Sequence, residues 1–362
     1  MIKWVSFISL LAVALLVARV AAPPHPTSLD TERQFQADYN GGNLEGMIQR
    51  ATEELSRDQQ NISALLAAAT AYAMKGSIGF SERSNGAKAI QYADKVLILE
   101  PSNSEAYRIK GYSYEIQEIY EVAHQMYDQS IKLNPSNFQA LSNKGHAYDL
   151  QGNTRNAEEF YKRSLETNPQ GEHALLNISR LYIRESRFRD AKNSLKTLVN
   201  SSSNVRFKAE GYQILAEIYR TEMDYPRAEK AIELSTGLDG NLPQAWVTRG
   251  RVRLVSLIDQ PEAEGTIRDE VKQYAHKALT LHPHQASAYT LLFDMYGVFG
   301  LTAEREEAKQ RALRALEQDI TLGQNERKAL KSYLMSDVVV QNISTETGPE
   351  EVLSQEELPH LD

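Results

Sequence analysis

Small, aromatic and proline positions recur at a fixed distance of 34 residues through the middle of this chain. In each 34-residue unit, apolar positions form two stretches separated by a turn, and a proline follows the second stretch. This pattern predicts two consecutive helix–turn–helix units between residues 104 and 171. The pairs separated by 34 residues are Gly111 and Gly145, Tyr114 and Tyr148, Ala123 and Ala157, Tyr127 and Tyr161, Ser130 and Ser164, and Pro135 and Pro169.

The recurring residues are the types that two packed antiparallel helices need. Helices approach closely only where one presents Gly, Ala or Ser, and large apolar groups fill the gaps beside that contact. The prolines are placed to stop each second helix, and Asn103 and Asn137 to cap the first helix that follows. The stopping prolines are Pro101, Pro135, Pro169 and Pro283.

The spacing of these small, aromatic and proline residues resembles the tetratricopeptide repeat. The resemblance implies an all-α fold, a right-handed α–α superhelix (TPR solenoid) of about seven helix–turn–helix repeats. We predict the array at residues 28–320, beginning with a weak, degenerate repeat. Its segments are about 28–61, 62–103, 104–137, 138–171, 172–208, 209–242, 243–285 and 286–320.

Two interior insertions interrupt the regular spacing. One adds eight residues near Gly76, Gly79 and Gly86, and the other adds nine residues around 259–265. Both fall between a first and a second helix. They either form loops specific to a partner or extend the two helices by a turn, and we favour the extension.

The N-terminal segment, residues 1–22, is predicted to be a signal peptide or a membrane anchor. Lys3 precedes the apolar run Trp4–Ala18, as in secretory signal peptides. The run to Ala22 is near the short end of what spans a bilayer, so an uncleaved anchor is the alternative. Either way we expect the repeats to be exported (periplasmic or extracellular) or membrane-anchored outside the cytoplasm. Residues 23–27 are predicted to be a short linker.

The C-terminal part divides into a predicted capping helix and an acidic flexible tail. Residues 321–336 offer Leu330, Tyr333 and Leu334 to cover the open end of the array. Residues 337–362 contain no Lys or Arg, and their acidic composition predicts a flexible tail.

Charge and cysteine content exclude several classes of function. The net charge of −8 and a pI near 5.6 argue against nucleic acid as a partner. The absence of cysteine excludes disulfides, thiolate zinc sites, cysteine nucleophiles and a lipoprotein anchor.

The resemblance also implies where a partner would bind. In this family the first helices of successive repeats line a concave groove that grips a peptide or a partner surface. The register predicts a partner-binding groove formed by Arg108, Tyr112, Asn143, His146, Asn177, Arg180, Gln213 and Arg251. Some members of the family recognise a C-terminal carboxylate with Lys, Asn and Arg at fixed positions, but here Tyr112 and His173 replace two of that set, which argues against such a role.

Catalytic and metal-binding motifs are missing. The sequence contains no phosphate loop, no His-Glu-x-x-His and no Gly-x-Ser-x-Gly, and His276, His282 and His284 lack a carboxylate pattern that would complete a metal site. We therefore expect no cofactor, no metal and no enzymatic activity. The sequence predicts a non-enzymatic scaffold for a protein or peptide partner, in an extracytoplasmic or membrane-associated assembly. The alternative is an accessory subunit that docks a catalytic partner such as a polysaccharide synthesis or secretion enzyme.

Overall fold

The computed structural model describes residues 28–77, 82–319, 322 and 324–336. These residues contain seventeen α-helices, one short 3-10 helix (Pro261–Ala263) and no strand. The predicted all-α class is therefore confirmed. The predicted segments 1–22, 23–27 and 337–362 lie outside the described residues. The helices are α1 (Ser28–Asn40), α2 (Leu44–Arg57), α3 (Ile62–Ser77), α4 (Glu82–Leu99), α5 (Ser104–Glu115), α6 (Tyr120–Leu133), α7 (Phe138–Leu150), α8 (Thr154–Thr167), α9 (Glu172–Arg184), α10 (Phe188–Ser201), α11 (Val205–Thr221), α12 (Tyr225–Leu238), α13 (Pro243–Val255), α14 (Glu264–Leu281), α15 (Ala286–Val298), α16 (Thr302–Gln318) and α17 (Gln324–Met335).

The chain forms two compact units, and the boundary between them falls inside α7. Unit 1 is Met1–Asn143 and unit 2 is Lys144–Asp362. Within the described part of each unit, first and second helices alternate along the chain and pack as antiparallel pairs. None of the helices in the described ranges is long and apolar enough to cross a membrane.

Helix ends in the structure follow the predicted capping and stopping residues. Asn103 accepts a hydrogen bond from the backbone N–H of Ala106 at 2.9 Å, and Asn137 accepts one from Ala140 at 3.0 Å. These side chains satisfy N–H groups that the first turn of a helix leaves without partners. The second helices α4, α6, α8 and α14 end two residues before Pro101, Pro135, Pro169 and Pro283, as predicted.

In unit 1 a glycine and an aromatic ring form the close helix contact. Gly111 on α5 lies against the ring of Tyr127 on α6, and a Cβ at Gly111 would lie 2.6 Å from Tyr127 Cδ1. Tyr127 and Ala123 are fully buried. A larger side chain at residue 111 would collide with the ring, so glycine at this position allows α5 to pack directly against the Tyr127 ring of α6.

Unit 2 repeats this contact at Gly145 and has a different close contact at Gly250. A Cβ at Gly145 on α7 would lie 2.9 Å from Tyr161 Cδ1 on the paired helix α8. A Cβ at Gly250 on α13 would lie 2.4 Å from the terminal methyl Cδ2 of Leu291 on α15, the next first helix. Ala157 and Tyr161 are fully buried. The interior of unit 2 thus keeps the packing predicted from the regular repeats.

The turns between paired helices share one unusual backbone conformation. In six of them, within the described residues, the residue two positions before the second helix has a positive φ of 59° to 75°. Glycine occupies this position in three turns, and Glu118, Ser186 and Met223 occupy it in the others. The chain leaves the first helix through a left-handed residue, as in common helix C-terminal motifs.

The two insertions lengthen helices. The helices α3 and α4 on either side of the first insertion have 16 and 18 residues, against 12 and 14 in α5 and α6. After the second insertion, α14 has 18 residues and follows the short 3-10 helix. The interpretation as helix extension therefore holds for both helices at the first site and for the second helix at the other.

One first helix begins earlier than the predicted repeat boundary. α11 starts at Val205, not near residue 209, because Asn204 accepts hydrogen bonds from the N–H groups of Arg206 and Phe207. The extra residues of the preceding loop therefore add a turn to α11. At the C-terminal end, Leu334 of α17 is fully buried, and Leu330 and Tyr333 pack against the same core cluster.

Candidate functional site

The first helices of each unit lie side by side. In unit 1, α1 contacts α3 and α3 contacts α5; in unit 2, α9, α11, α13 and α15 contact one another in that order. We call the surface formed by α9, α11, α13 and α15 the unit 2 face. Such a row presents equivalent positions of successive repeats to one partner, as in other stacked repeat arrays.

On α5 of unit 1, the predicted contact residue Arg108 pairs with a residue of its own helix. Its Nε donates to Glu105 Oε2 at 2.9 Å. Burial on its own would raise the pKa of Glu105 and lower that of Arg108. Their mutual attraction outweighs burial, so that the pKa of Glu105 is lowered and the pKa of Arg108 is raised. Both groups are therefore charged at neutral pH.

The other predicted residues of unit 1 are partly enclosed. Tyr112 is partly buried and packs against the core cluster that contains Ile109, and Asn143 is partly buried on α7. Nearby, the Tyr127 hydroxyl donates to the buried carboxylate of Glu115 at 2.7 Å. Burial and the charge of Glu115 raise the pKa of Tyr127, so this phenol stays protonated.

The unit 2 face is built around the carboxylate of Glu217 on α11. Thr248 on α13 donates to Glu217 Oε1 at 2.8 Å, and Arg251 on α13 donates to the same oxygen at 3.2 Å. Arg220, one turn further along α11, donates to Glu217 Oε2 at 2.9 Å. The predicted residue Gln213 extends the network by donating to Thr248 at 2.9 Å.

The electrostatics of Glu217 show that these contacts hold a charged group. Burial would raise its pKa, but the charges of Arg251 and Arg220 and the hydrogen bond from Thr248 lower it below the ordinary value. Glu217 is consequently ionised at neutral pH and joins α11 to α13 by charge-assisted hydrogen bonds.

A second carboxylate, Asp294 on α15, continues the row towards the C-terminal helix. The Tyr333 hydroxyl of α17 donates to Asp294 Oδ1 at 2.7 Å. Burial raises the pKa of Asp294, although the hydrogen bond from Tyr333 and the charges of Arg251, Arg305 and Arg220 act in the opposite direction. The pKa of Tyr333 is raised by burial and by the charge of Asp294.

The α9 end of the unit 2 face is rich in arginine. Arg180 pairs with Glu210 of α11 at 3.4 Å, and Arg206 pairs with the same carboxylate at 3.3 Å. Arg184 pairs with Asp149. The remaining predicted residues of unit 2, His146 on α7 and Asn177 on α9, are partly buried.

The structure thus brings Gln213 and Arg251 into one network and places Arg180 on a neighbouring first helix of the same face. Three other predicted residues, Arg108, Tyr112 and Asn143, belong to unit 1. That any of the eight contacts a partner stays a prediction. Glu217 and Asp294 are not among the predicted residues. The predicted repeats that begin at residues 172, 209 and 243 are 37, 34 and 43 residues long. Adding these lengths in turn to position 180 gives Glu217, Arg251 and Asp294, so these three residues and Arg180 occupy equivalent positions in successive repeats.

No metal centre accompanies this network: within the described ranges, no group of three or more His, Asp or Glu side chains is placed to hold a metal ion. What the arrangement offers is a row of hydrogen-bonding and charged groups. Arginine forks and carboxylates of this kind recognise polar groups of a polypeptide.

Comparisons with known proteins agree with this architecture. The family model described as tetratricopeptide repeat matches residues 138–170, which include the regular landmarks from Gly145 to Pro169. No curated protein sequence matches the chain.

Solved structures share the fold at low sequence identity. The crystal structure of the APC/C hetero-tetramer Cut9–Hcn1 is 17% identical with a TM-score of 0.56, and the match covers 80% of this chain and 52% of that one. The chain therefore spans about half the length of that protein. A tetratricopeptide repeat protein from Parabacteroides merdae ATCC 43184 is 16% identical with a TM-score of 0.50, covering 73% of this chain and 98% of its own. Pseudomonas aeruginosa pilF is 15% identical with a TM-score of 0.50, and the match covers 64% of this chain and 98% of that one.

Proposed function

We propose that the chain, which matches the tetratricopeptide repeat model at residues 138–170 and shares the fold of a tetratricopeptide repeat protein, is a non-enzymatic scaffold that binds a protein or peptide partner along the unit 2 face. The observation that carries the proposal is the row of equivalent residues Arg180, Glu217, Arg251 and Asp294 on four adjacent first helices. A partner that follows this row would meet alternating positive and negative side chains.

The chemistry of the row suits an extended polypeptide. The guanidinium groups donate in pairs to carboxylates and to backbone carbonyl groups. Gln213 and Thr248 are buried beneath the row, where they hold the Glu217 carboxylate in place. Each arginine already has a carboxylate partner, so its side chain is held in place before a partner arrives. Such preorganisation reduces the entropy lost on binding.

We further propose that binding takes place in an extracytoplasmic or membrane-associated assembly. The support is the apolar N-terminal sequence Trp4–Ala18 after Lys3, which is typical of an export signal or anchor. Fractionation of cells that express the intact chain tests this setting, and recovery of the chain from the cytosol would contradict it.

Affinity capture of the intact chain from membranes, with identification by mass spectrometry, tests the binding face. Changing Arg180 and Arg251 to Ala should deplete the captured partners at least about tenfold, because a few charged contacts carry much of the energy of an interface. A control variant changes Arg163 and Arg311, on the second helices α8 and α16, to Ala. The helical circular dichroism of both variants at the capture temperature shows that they fold, although loss of Arg251 from the Glu217 network should lower the melting temperature of the first.

The same partners recovered equally with the native chain and the Arg180 and Arg251 variant would overturn the assignment of this face. Capture of a polysaccharide synthesis or secretion enzyme, lost in the same variant, would identify the scaffold as the accessory subunit of that enzyme.

A further inference from the structure

We propose that the acidic segment 337–362 of this chain binds the unit 2 face in cis and competes there with the partner. The inference uses the same face as the proposed function, but the segment can occupy that face whether or not a partner protein exists.

The first argument is an asymmetry of exposure within the ion pairs at the α9 end of the face. The Arg184 side chain is 55% exposed and its partner Asp149 only 14%, and Arg180 is 48% exposed against 18% for Glu210. Arg206, which pairs with the same Glu210, is more exposed than either. The carboxylates lie beneath the guanidinium groups, so the outer layer that a ligand meets is positively charged.

This layer retains hydrogen-bonding capacity. Each guanidinium has five N–H donors, and the contact of Arg180 with Glu210 uses one nitrogen at the long distance of 3.4 Å. The N–H groups that face solvent can donate to a second carboxylate without breaking the ion pair below. An acidic polypeptide is the partner whose charge and geometry match.

The second argument is the point at which the chain enters the segment. Tyr333 of α17 is tied to α15 by its hydrogen bond to Asp294 and by an edge contact with Phe293, whose ring centroid lies 6.2 Å away. The hydroxyl of Ser336 donates to the carbonyl of Tyr333 at 2.6 Å and ends the helix there. Residue 337 therefore follows directly from a helix that is anchored on the unit 2 face.

The third argument is charge and reach. Residues 337–362 carry seven acidic side chains and no Lys or Arg. Ten extended residues, from Ser336 to Glu346, span at most about 33–36 Å. Three steps between neighbouring helices, from α15 to α9, amount to about 24–30 Å at 8–10 Å each. The acidic residues from Glu346 onward can therefore reach Arg180 and Arg184.

Tethering makes a weak contact sufficient. A segment joined to its site by a short linker has an effective concentration of order millimolar, so an intrinsic dissociation constant of about 0.1 mM already keeps about nine-tenths of the sites filled. Because the contact is made by exposed charges, it weakens as salt rises. A partner must then bind more tightly than the segment in order to displace it.

The test measures binding of a fluorescently labelled synthetic peptide with the sequence of residues 337–362. It compares the native full chain with a neutral-segment variant, the full chain with Asp337 and Asp362 changed to Asn and the five glutamates of the segment changed to Gln. We expect the neutral-segment variant to bind the peptide at least about tenfold more tightly, because its own segment no longer competes. A peptide with the same seven substitutions should not bind.

Arginine variants in the neutral-segment background locate the site. Changing Arg180 and Arg184 to Gln should weaken peptide binding at least about tenfold, a factor that each lost charge-assisted hydrogen bond can supply. The matched control changes Arg163 and Arg311 to Gln; these are similarly exposed arginines on second helices, and binding should change less than about twofold.

Equal peptide binding by the native chain and the neutral-segment variant would overturn the inference. Equal weakening of peptide binding by the Arg163 and Arg311 control would also overturn it. So would occupation of the face by the acidic segment that increases with protein concentration, because that shows binding between chains. Partner capture with the Arg180 and Arg251 variant is scored separately. If the Arg180 and Arg251 variant loses its partners but the peptide does not bind the neutral-segment variant, the proposed function stands and the inference fails. If the peptide binds but the same partners are captured with and without the two arginines, the inference stands and the proposed function fails.

Discussion

Arg108 in unit 1 and Arg251 in unit 2 are both predicted contact residues, yet their charges are balanced in different ways. Arg108 pairs with Glu105, three residues away on its own helix, whereas Arg251 pairs with Glu217 on the neighbouring first helix. An ion pair within one helix stabilises that repeat alone. An ion pair between first helices stabilises the interface between repeats, which is the term that couples neighbours in a stacked array.

The difference shows that the same residue type at equivalent faces can have local or cooperative effects. In unit 2 the contacts of Glu217 join α11 to α13, and Asp294 joins α15 to α17 through Tyr333. A partner that engages Arg251 would therefore act on two repeats at once. A partner that engages Arg108 would act on one.

The largest expected effect comes from removing Glu217. The substitution Glu217→Ala leaves Arg220, Arg251 and Thr248 without their shared acceptor and should lower the free energy of unfolding of unit 2 by about 2–4 kcal/mol. Hydrogen exchange should become faster in both α11 and α13. The matched substitution Glu105→Ala should speed exchange mainly in α5 and at Asn137, whose side chain also hydrogen-bonds Glu105. Faster exchange confined to α11 in Glu217→Ala would show that the comparison is wrong.

An intermediate effect is expected at the two glycine contacts. Gly111→Ala should destabilise unit 1 by about 1–2 kcal/mol, because the new Cβ meets the buried Tyr127 ring, which its hydrogen bond to Glu115 holds in place. Gly250→Ala should be closer to neutral although its contact is shorter, since the new Cβ meets the end of an aliphatic side chain and not a ring fixed by a hydrogen bond, and alanine favours a helix by about 1 kcal/mol. Urea unfolding measures both, and a larger loss at Gly250 would contradict this account.

The smallest effect concerns the pH dependence of two aspartates, the buried Asp38 and the partly buried Asp294. The hydrogen bond from Arg50 lowers the pKa of Asp38 in unit 1 below 3.8, so the stabilisation it gives is present above pH 3.8 and is lost as pH falls through the lowered pKa. Burial raises the pKa of Asp294 in unit 2 above 3.8, so its ionised form costs stability at neutral pH, and this cost is relieved as pH falls through the raised pKa.

Melting temperatures of the native chain, Asp38→Asn and Asp294→Asn across acidic pH check these signs. Lowering the pH from 7 to 4 should raise the native melting temperature relative to Asp294→Asn and leave the difference from Asp38→Asn unchanged. Below pH 3.8 the melting temperature of the native chain should fall relative to that of Asp38→Asn. The same trend in both variants would exclude opposite pKa shifts.

The helical fold could be predicted because the chain meets one packing requirement many times. Ala123 and Ala157, 34 residues apart, are both fully buried, and Asn103 and Asn137 both cap helices. Each landmark is local and independent of the others, so agreement among them specifies the helix pairs. The early start of α11 escaped prediction because a single capping residue, Asn204, decides it.

The contacts on the unit 2 face could be predicted only in part. Register assigns Arg180 and Arg251 to the first helices, but it does not give the reach of a long side chain or the acceptor it finds on the next helix. Asp294 is displaced in the sequence by the insertion near residue 260, which makes its repeat 43 residues long, and only the summed repeat lengths align it with Arg251.

The left-handed turns have a consequence for engineering this scaffold. Glu118, Ser186 and Met223 adopt φ values near 60°, a conformation that costs an ordinary L-residue about 1–2 kcal/mol and glycine almost nothing. Glycine already stands at the same position in the turns containing Gly42, Gly152 and Gly300. Three replacements by glycine would therefore make the array more heat-resistant while leaving both its interior and its binding surface unaltered.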